Sequence, residues 1–434
     1  MLHTGPEAIV LGGYVTGLWV ARALARRGIR VTVVEGDGAD IAGYSRSAAE
    51  RVPCRGAALD VDELLALLDR RAGSWAGRVL VPTGDVALEA VARGRDALLR
   101  TYRLCVPPWD IVRTLLRKDE TYRLARATGV DLPVSYGALT SDLARNPALL
   151  YPVIVKPNDS RRFHRHFATK VLLATDGRHL AELAAKVRAA GLCAEVLELI
   201  PGPDSLSFNY TAYLDAQGEP LAEFAIHKLR KSPPFFGIAR VVEPLVDPGV
   251  VAELRRRSLA LLRAARWHGP VSAEFKRDPR DGRLLLMEVN GRCSFVQQLA
   301  LAAGIDYPWL LYQEAVFGQA APQTPTAWDG VLVHLYADLL NTLLFHRVEG
   351  LSAGEYLAPY LRRKMYAVWR LRDPLPFLVE WGRTLRKSLD LLRNADARRR
   401  LFARAVPIPH PTAEDGRADA DHPHTRATRQ TWIP

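Results

Sequence analysis

A chain of 434 residues, 48% apolar and 24% charged, has the balance of an ordinary globular protein and room for roughly two or three domains with buried cores. Its four cysteines are scattered singly, which excludes a disulfide framework, and no apolar stretch reaches the ~18–20 residues that cross a bilayer. The opening "MLHTGPEAIV" lacks a basic segment leading into an apolar run, so a reduced, cytoplasmic setting is expected, and the net charge of +12 admits anionic partners.

From about residue 8 to 110 short apolar strands alternate with helices. "AIVLG", "RVTVVEG" and "RVLVPTG" read as strands, and "TGLWVARALARRG" and "VDELLALLDRRAG" have helical spacing, which predicts a parallel sheet with crossover helices. The first βαβ unit approaches the dinucleotide fingerprint. Gly12 and Gly17 supply its first and third glycines, but Tyr14 occupies the middle position, where the backbone must approach a pyrophosphate. Glu35 closes the second strand, where a ribose-binding acid would stand. The helix start near Thr16 suits a carboxylate or phosphate. A nicotinamide or flavin oxidoreductase is thus one reading, weakened by Tyr14.

A helical link, "WDIVRTLLRKDETYRLARATGVDLPVSY", follows, and from Tyr151 to about Gln319 the pattern changes to longer strands and tight turns. "YPVIVKPNDS" is an apolar strand ending in Lys156, facing a cation-rich loop, "NDSRRFHRHF", that suits nucleotide phosphates. In "CAEVLELIPGPDSLSFN" the backbone of Glu198 to Ile200 could pair with an adenine edge, with Asp204 on the ribose. "GPVSAEFKRDPRDGRLLLMEVNGRCSF" reads as a hairpin turning at Asp281–Gly282. Glu288 and Asn290 then share a face, with Glu274 diagonal to Glu288. Two carboxylates and an amide oxygen make a hard-oxygen site that fits Mg²⁺, with Mn²⁺ as a substitute. Surface acids are the plainer reading, opposed by the apolar strand around Glu288.

The stretch "APQTPTAWDG" reads as a linker. A helical part is expected from Val331 to about Ala405, and the tail from Pro407 is low in apolar residues. Between Glu355 and Arg404 thirteen basic residues stand against five acidic ones. Pro374 and Pro376 are expected to divide two helical pieces, whose Trp369, Phe377, Leu378 and Trp381 suit an anionic membrane surface; a helical cap with a basic outer face, or a phosphorylated acceptor, fits as well. No base-reading motif is present, so nucleic acid is not an expected partner.

Taken in order, a lysine in the helical linker, the Lys-Pro strand end, the strand running into Pro-Gly and the Glu…Glu-x-Asn hairpin resemble the ATP-grasp ligases over roughly Lys118 to Gly318. "VKPNDS", "RKSPPFFG" and "MEVNGR" are most similar to carboxylate–amine ligases akin to D-aspartate ligase. The resemblance implies an α/β and α+β fold class: an ATP-grasp domain (111–320) behind a Rossmann-like pre-ATP-grasp domain (1–110), with a helical, basic extension (321–406) and a tail (407–434). It implies ATP as co-substrate and small-molecule carboxylate and amine substrates, and a dimer is compatible with it. It assigns Lys118 to the α-phosphate, Lys156 to the α/β-phosphates, and Glu198 and Ile200 to adenine, with Leu197 lining the hinge. Asp204 falls to ribose, Glu274, Glu288 and Asn290 to magnesium, and Arg292 to the γ-phosphate, acyl phosphate or substrate carboxylate. Lys170, Lys228, Arg230 and Lys231 are further candidates for phosphate or carboxylate. Where many members carry a glycine-rich phosphate loop, Asn158 to Phe167 has no glycine and offers Arg161, Arg162, His164, Arg165 and His166, so a lid of side-chain cations is expected. Other acceptors (thiol, hydroxyl), a kinase, or a non-catalytic nucleotide-binding protein share the same outline.

Overall fold

The computed structural model describes residues 5–53, 58–157, 160–167, 169, 171–232, 234 and 237–393. Fifteen strands lie in three sheets among them. Strands β1 (Ala8–Leu11), β2 (Val31–Val34), β3 (Glu50–Val52) and β4 (Val79–Pro82) form a parallel sheet in the order β3-β2-β1-β4. Strands β5 (Ser135–Ala138), β6 (Val153–Pro157), β7 (Leu172–Ala174) and β8 (Ala194–Glu198) form a small antiparallel sheet in the order β5-β8-β6-β7. The large sheet holds β9 (Ser207–Leu214), β10 (Pro220–Ser232), β11 (Ile238–Pro244), β12 (Gly269–Arg277), β13 (Leu284–Asn290), β14 (Val331–Val333) and β15 (Lys364–Tyr366), in the order β13-β12-β9-β10-β11-β14-β15.

The parallel sheet is apolar on both faces because both are covered. Ile9 and Leu11 of β1 pack with the helices Val61–Trp75 and Asp85–Arg93, while Ala8 and Val10 pack with the helices Val15–Arg26 and Tyr307–Phe317. The strand-turn-helix entry depends on two glycines. Gly12 sits at φ +99°, and a Cβ on Gly17 would lie 2.0 Å from the Gly12 carbonyl oxygen.

In the large sheet, alternation separates the core from the site. Phe208, Tyr210 and Ala212 of β9 and Val271, Ala273 and Phe275 of β12 join the core on the side of the Pro248–Ala264 helix. That leaves Ser207, Asn209, Ser272, Glu274 and Lys276 on the opposite face. The small sheet divides likewise. Val153, Val155 and Val196 pack on the Gly177–Ala189 helix, while Ile154, Leu197 and Leu199 cluster with Tyr122 on the other side.

The structure corrects three local expectations. The cation-rich stretch is a helix, Ser160–Phe167, rather than a loop: Phe163 and Phe167, four residues apart, pair at 4.6 Å between ring centres, and Phe163 is fully buried. The stretch from Val331 is not wholly helical, because β14 pairs with β11 and β15 continues the sheet in parallel with β14. "KMY" therefore extends a sheet where a helical piece was expected, and helix resumes only at Leu375–Arg393. Its aromatic residues turn to one another, with Phe377 5.2 Å from Trp369 and 5.8 Å from Trp381. Residues 394–406 of the basic stretch and the tail from Pro407 lie outside the described residues. No described helix is long and apolar enough to cross a membrane.

Candidate active site

A cleft lies between the inner face of the small sheet and the polar face of the large one. On the small-sheet side Lys118, Asp119, Tyr122, Arg126, Lys156 and Glu195 line a cavity of about 260 Å³. Lys118 and Tyr122 stand one turn apart on the Lys118–Ala127 helix, and so share a face. The Lys156 ammonium donates to the Tyr122 hydroxyl at 2.7 Å and to the Met287 carbonyl at 3.1 Å, joining the two sheets. Burial alone would lower its pKa, but Tyr122, Glu288 and Glu274 outweigh that and raise it, so the cation is held charged.

The hairpin β12–β13 supplies the acids. Its turn is longer than Asp281–Gly282 alone: Asp278 N–H donates to the Arg283 carbonyl and Gly282 N–H to the Asp278 carbonyl. The register then shifts between Glu274 and Phe275, leaving Met287 unpaired as a bulge. Glu274 consequently stands directly opposite Glu288, not diagonal to it, and Asn290 faces Ser272. The bulge also decides the face. Strict alternation would carry Glu288 inward with Leu284 and Leu286; the extra residue lets Leu286 and Val289 both enter the core while Glu288 and Asn290 turn out. The Met287 carbonyl, released from the ladder, is the one that Lys156 and Tyr122 share.

A second irregularity brings the cations. Lys228 and Lys231, three apart on β10, would face opposite sides of a regular strand. Register shifts around Arg230 turn both to Glu274, at 2.5 Å and 3.2 Å. Burial would raise the Glu274 pKa, but the two lysines outweigh it and hold it at about 2. Burial, aided by Lys231, lowers that of Lys228 in spite of Glu274. Arg230, expected among the phosphate-facing cations, leaves by the other face. It pairs with Asp338 at 2.8 Å and donates to the Glu355 and Tyr356 carbonyls, and it is 3% exposed.

The remaining candidates scatter along the cleft. The Glu198 side chain accepts from Val134 N–H and from Arg280, while Leu197 is buried between β5 and β6. The Ile200 carbonyl accepts from the Lys276 ammonium at 2.8 Å, and the Asp204 carboxylate accepts from Lys231 N–H. Arg292 donates to Asp85 at 2.7 Å and to the Asn290 side-chain oxygen at 3.1 Å, tying the acidic hairpin to the N-terminal sheet. Lys170, Asn158 and the Arg161, His164 and Arg165 side chains lie outside the described residues. Tyr122, Asn209, Lys276 and Asp85 join the site without being among the residues expected from the sequence. Two had a legible signal: Tyr122 stands four residues after Lys118 on a helix, and Lys276 two after Glu274 on a strand.

The donor set suits a hard divalent ion. The oxygens of Glu274, Glu288 and Asn290 share one face, Glu288 is exposed toward the cleft, and the buried Asn209 side-chain oxygen beside Glu274 has no hydrogen-bond partner among the described residues. The glycine turn of the N-terminal unit is occupied instead by the chain itself. Asp40 accepts from Gly13 N–H at 2.7 Å and Gly36 N–H at 2.6 Å, filling the place of a phosphate. Glu35 is held by Arg51 through both carboxylate oxygens, and the Tyr14 hydroxyl donates to Glu380. An intramolecular carboxylate thus answers the glycine turn just ahead of the Val15–Arg26 helix, which removes the support for a dinucleotide there.

No family model matches the sequence, and no curated protein matches it. Solved structures do. The chain is similar to an L-amino acid ligase from Bacillus licheniformis, at 20% identity and a TM-score of 0.56 over 72% of this chain and 74% of that one. It is similar to N5-carboxyaminoimidazole synthetase from Staphylococcus aureus complexed with ADP, at 15% identity and a TM-score of 0.58 over 79% and 87%. The biotin carboxylase domain of the Hydrogenobacter thermophilus 2-oxoglutarate carboxylase, in complex with MgADP, ADP and bicarbonate, is matched at 16% identity and a TM-score of 0.57 over 76% and 74%. The fold is that of the ATP-grasp ligases, with the parallel sheet ahead of it.

Proposed function

We propose that this chain is an ATP-dependent, ADP-forming ligase that activates a carboxylate as an acyl phosphate and joins it to an amine, with an amino acid or related small carboxylate as one substrate, in the manner of the carboxylate–amine ligases akin to D-aspartate ligase. The observation that carries the reading is Glu274 opposite Glu288 on the cleft face, ringed by Lys156, Lys228 and Lys231. The ADP and MgADP named with two of the solved neighbours support the same nucleotide and metal here.

In this reading adenine lies against Leu197–Ile200 and ribose on Asp204. Lys118 and Lys156 meet the α- and β-phosphates. Glu274, Glu288 and Asn290 hold Mg²⁺, which when bound neutralises phosphate charge and orients the γ-phosphoryl group. Lys228 and Lys231, already buried around Glu274, stabilise the charge on the transferring phosphoryl oxygens. A substrate carboxylate oxygen attacks the γ-phosphorus, and ADP leaves. The amine nitrogen then bonds to the acyl carbon, the carbon–oxygen bond to phosphate breaks, and the proton shed by the amine leaves with the phosphate. In this reading Arg292, which reaches from the acidic hairpin toward Asp85, steadies the oxyanion of that second step. Helix Ser160–Phe167 presents Arg162 and His166 on its exposed side and closes over the phosphates to keep water from the acyl phosphate.

Incubation with ATP, Mg²⁺ and a panel of amino acids and small carboxylates should release one ADP and one phosphate per amide formed. Release of AMP and pyrophosphate would contradict the reading, and phosphate retained on the substrate would identify a kinase. Glu288→Ala should lower turnover about 100-fold or more with an unchanged melting curve. Full amide formation by that variant would remove the metal assignment.

A further inference from the structure

A second group of metal-ligating side chains lies away from the cleft. Cys105, His268 and Glu314 bring a thiol, an imidazole nitrogen and a carboxylate oxygen within 4.8 Å of one another. They come from three distant parts of the chain: the segment leaving the parallel sheet, the residue before β12, and the Tyr307–Phe317 helix. The Tyr213 hydroxyl on β9 donates to the Glu314 carboxylate at 2.6 Å and lies 3.3 Å from the Cys105 sulfur. Cys105 is buried. None of these residues lines the cavity around Lys118 and Lys156, and the reaction proposed above uses none of them.

We infer that Cys105, His268 and Glu314 form a zinc site. The donor types decide the metal: a thiolate with an imidazole suits Zn²⁺, whereas Mg²⁺ and Ca²⁺ take oxygen ligands. Charge decides whether burial is tolerable. One thiolate and one carboxylate neutralise a divalent ion, so the bound group is neutral overall, which removes most of the penalty of burying a charge. The neighbouring cation, Arg95, is already held by the Val106 carbonyl at 3.0 Å and by Asp96. Geometry sets the remaining demand. Zinc bonds of about 2.0–2.3 Å arranged as a tetrahedron place donor atoms roughly 3.2–3.8 Å apart, so donors now within 4.8 Å of one another close by up to about 1.6 Å on binding.

On binding, the Cys105 thiol loses its proton to solvent, its sulfur bonds to the metal, and no oxidation state changes. Water takes the fourth position, and Tyr213 keeps its hydrogen bond to Glu314 and so orients that ligand. The site clasps the segment leaving the parallel sheet to β12 and the Tyr307–Phe317 helix, fixing the N-terminal sheet against the large one.

The test uses the full chain, stripped with a chelator and held in excess Mg²⁺ so that the acidic hairpin does not compete. Titration with Co²⁺ should give one equivalent bound with the charge-transfer absorption of a cobalt–thiolate bond. Zn²⁺ should displace it and raise the melting temperature. Cys105→Ser should abolish the absorption, Cys193→Ser should keep it, and His268→Ala should weaken zinc binding about 100-fold, with Tyr213→Phe nearer tenfold. A wild-type chain that shows no cobalt–thiolate absorption overturns the inference, as does the same absorption persisting in Cys105→Ser. The wild-type titration decides the matter even where a variant fails to fold.

Discussion

A single residue, Asp40, occupies the glycine turn that the sequence offers as a dinucleotide site. Asp40 is 4% exposed, and burial raises its pKa to about 6 even though it accepts from Gly36 and Gly13 N–H groups. A carboxyl raised above its ordinary value binds more protons folded than unfolded between about pH 4 and 6. Its stabilising contribution is therefore complete below that window and is lost as pH rises through it. Asp40→Asn keeps an oxygen for both N–H donors without the titration, so its melting temperature should vary less than wild type between pH 4 and 7. Asp40→Ala leaves two donors unanswered and should cost about 1–3 kcal/mol. An unchanged pH profile in Asp40→Asn, followed by differential scanning calorimetry, would contradict this assignment. The Gly12, Tyr14 and Gly17 pattern was legible as a defective dinucleotide turn. That Asp40 fills it was not, because the contact spans 27 positions of sequence and nothing local announces it.

Whole elements owe their use in the site to two irregular strands. The bulge at Met287 sends Glu288 and Asn290 out of the core, and the shifts around Arg230 divide the "HKLRK" cations between two faces. Alternation along one strand puts Glu288 and Asn290 on a shared face, yet their turn away from the core and the register that sets Glu274 opposite Glu288 come from a bulge, which is a property of two strands and lies outside that reading. The Ser160–Phe167 helix was missed for a related reason: its six polar residues dominated the pattern, and only the small-sheet core reveals what Phe163 packs against. On the far face, Asp338 answers both Arg230 and Arg240 at 2.8 Å and accepts from the Tyr360 hydroxyl, while its own side chain is fully buried. Asp338→Ala leaves two buried guanidiniums uncompensated and should destabilise by about 3–5 kcal/mol in urea unfolding. A loss under about 1 kcal/mol would show that water reaches the pair.

At the scale of the molecule, the chain's last described stretch is bound into the large sheet and onto the N-terminal parallel-sheet unit. β14 and β15 extend the large sheet, while Asp373 pairs with the buried Arg22 at 2.8 Å and accepts from Ser45 and from Arg46 N–H. Glu380 bridges Tyr14 and His334. The change from crossover helices to antiparallel strands near Tyr151 was plain in the sequence, since it follows from the spacing of apolar residues. The docking of the C-terminal stretch was not, because its arginines and tryptophans fit a membrane, a phosphorylated ligand or a protein core equally well until their partners are seen. Among the described residues the architecture leaves one cleft with opposed acids and converging lysines, and the central claim is that nucleotide binds there and not at the glycine turn. A crystal structure with Mg²⁺ and a non-hydrolysable ATP analogue tests it most directly. The triphosphate is expected between Lys156 and the Glu274–Glu288 pair, with the ion on those two carboxylates. A nucleotide lying on Gly12–Gly17 with Asp40 displaced would contradict it.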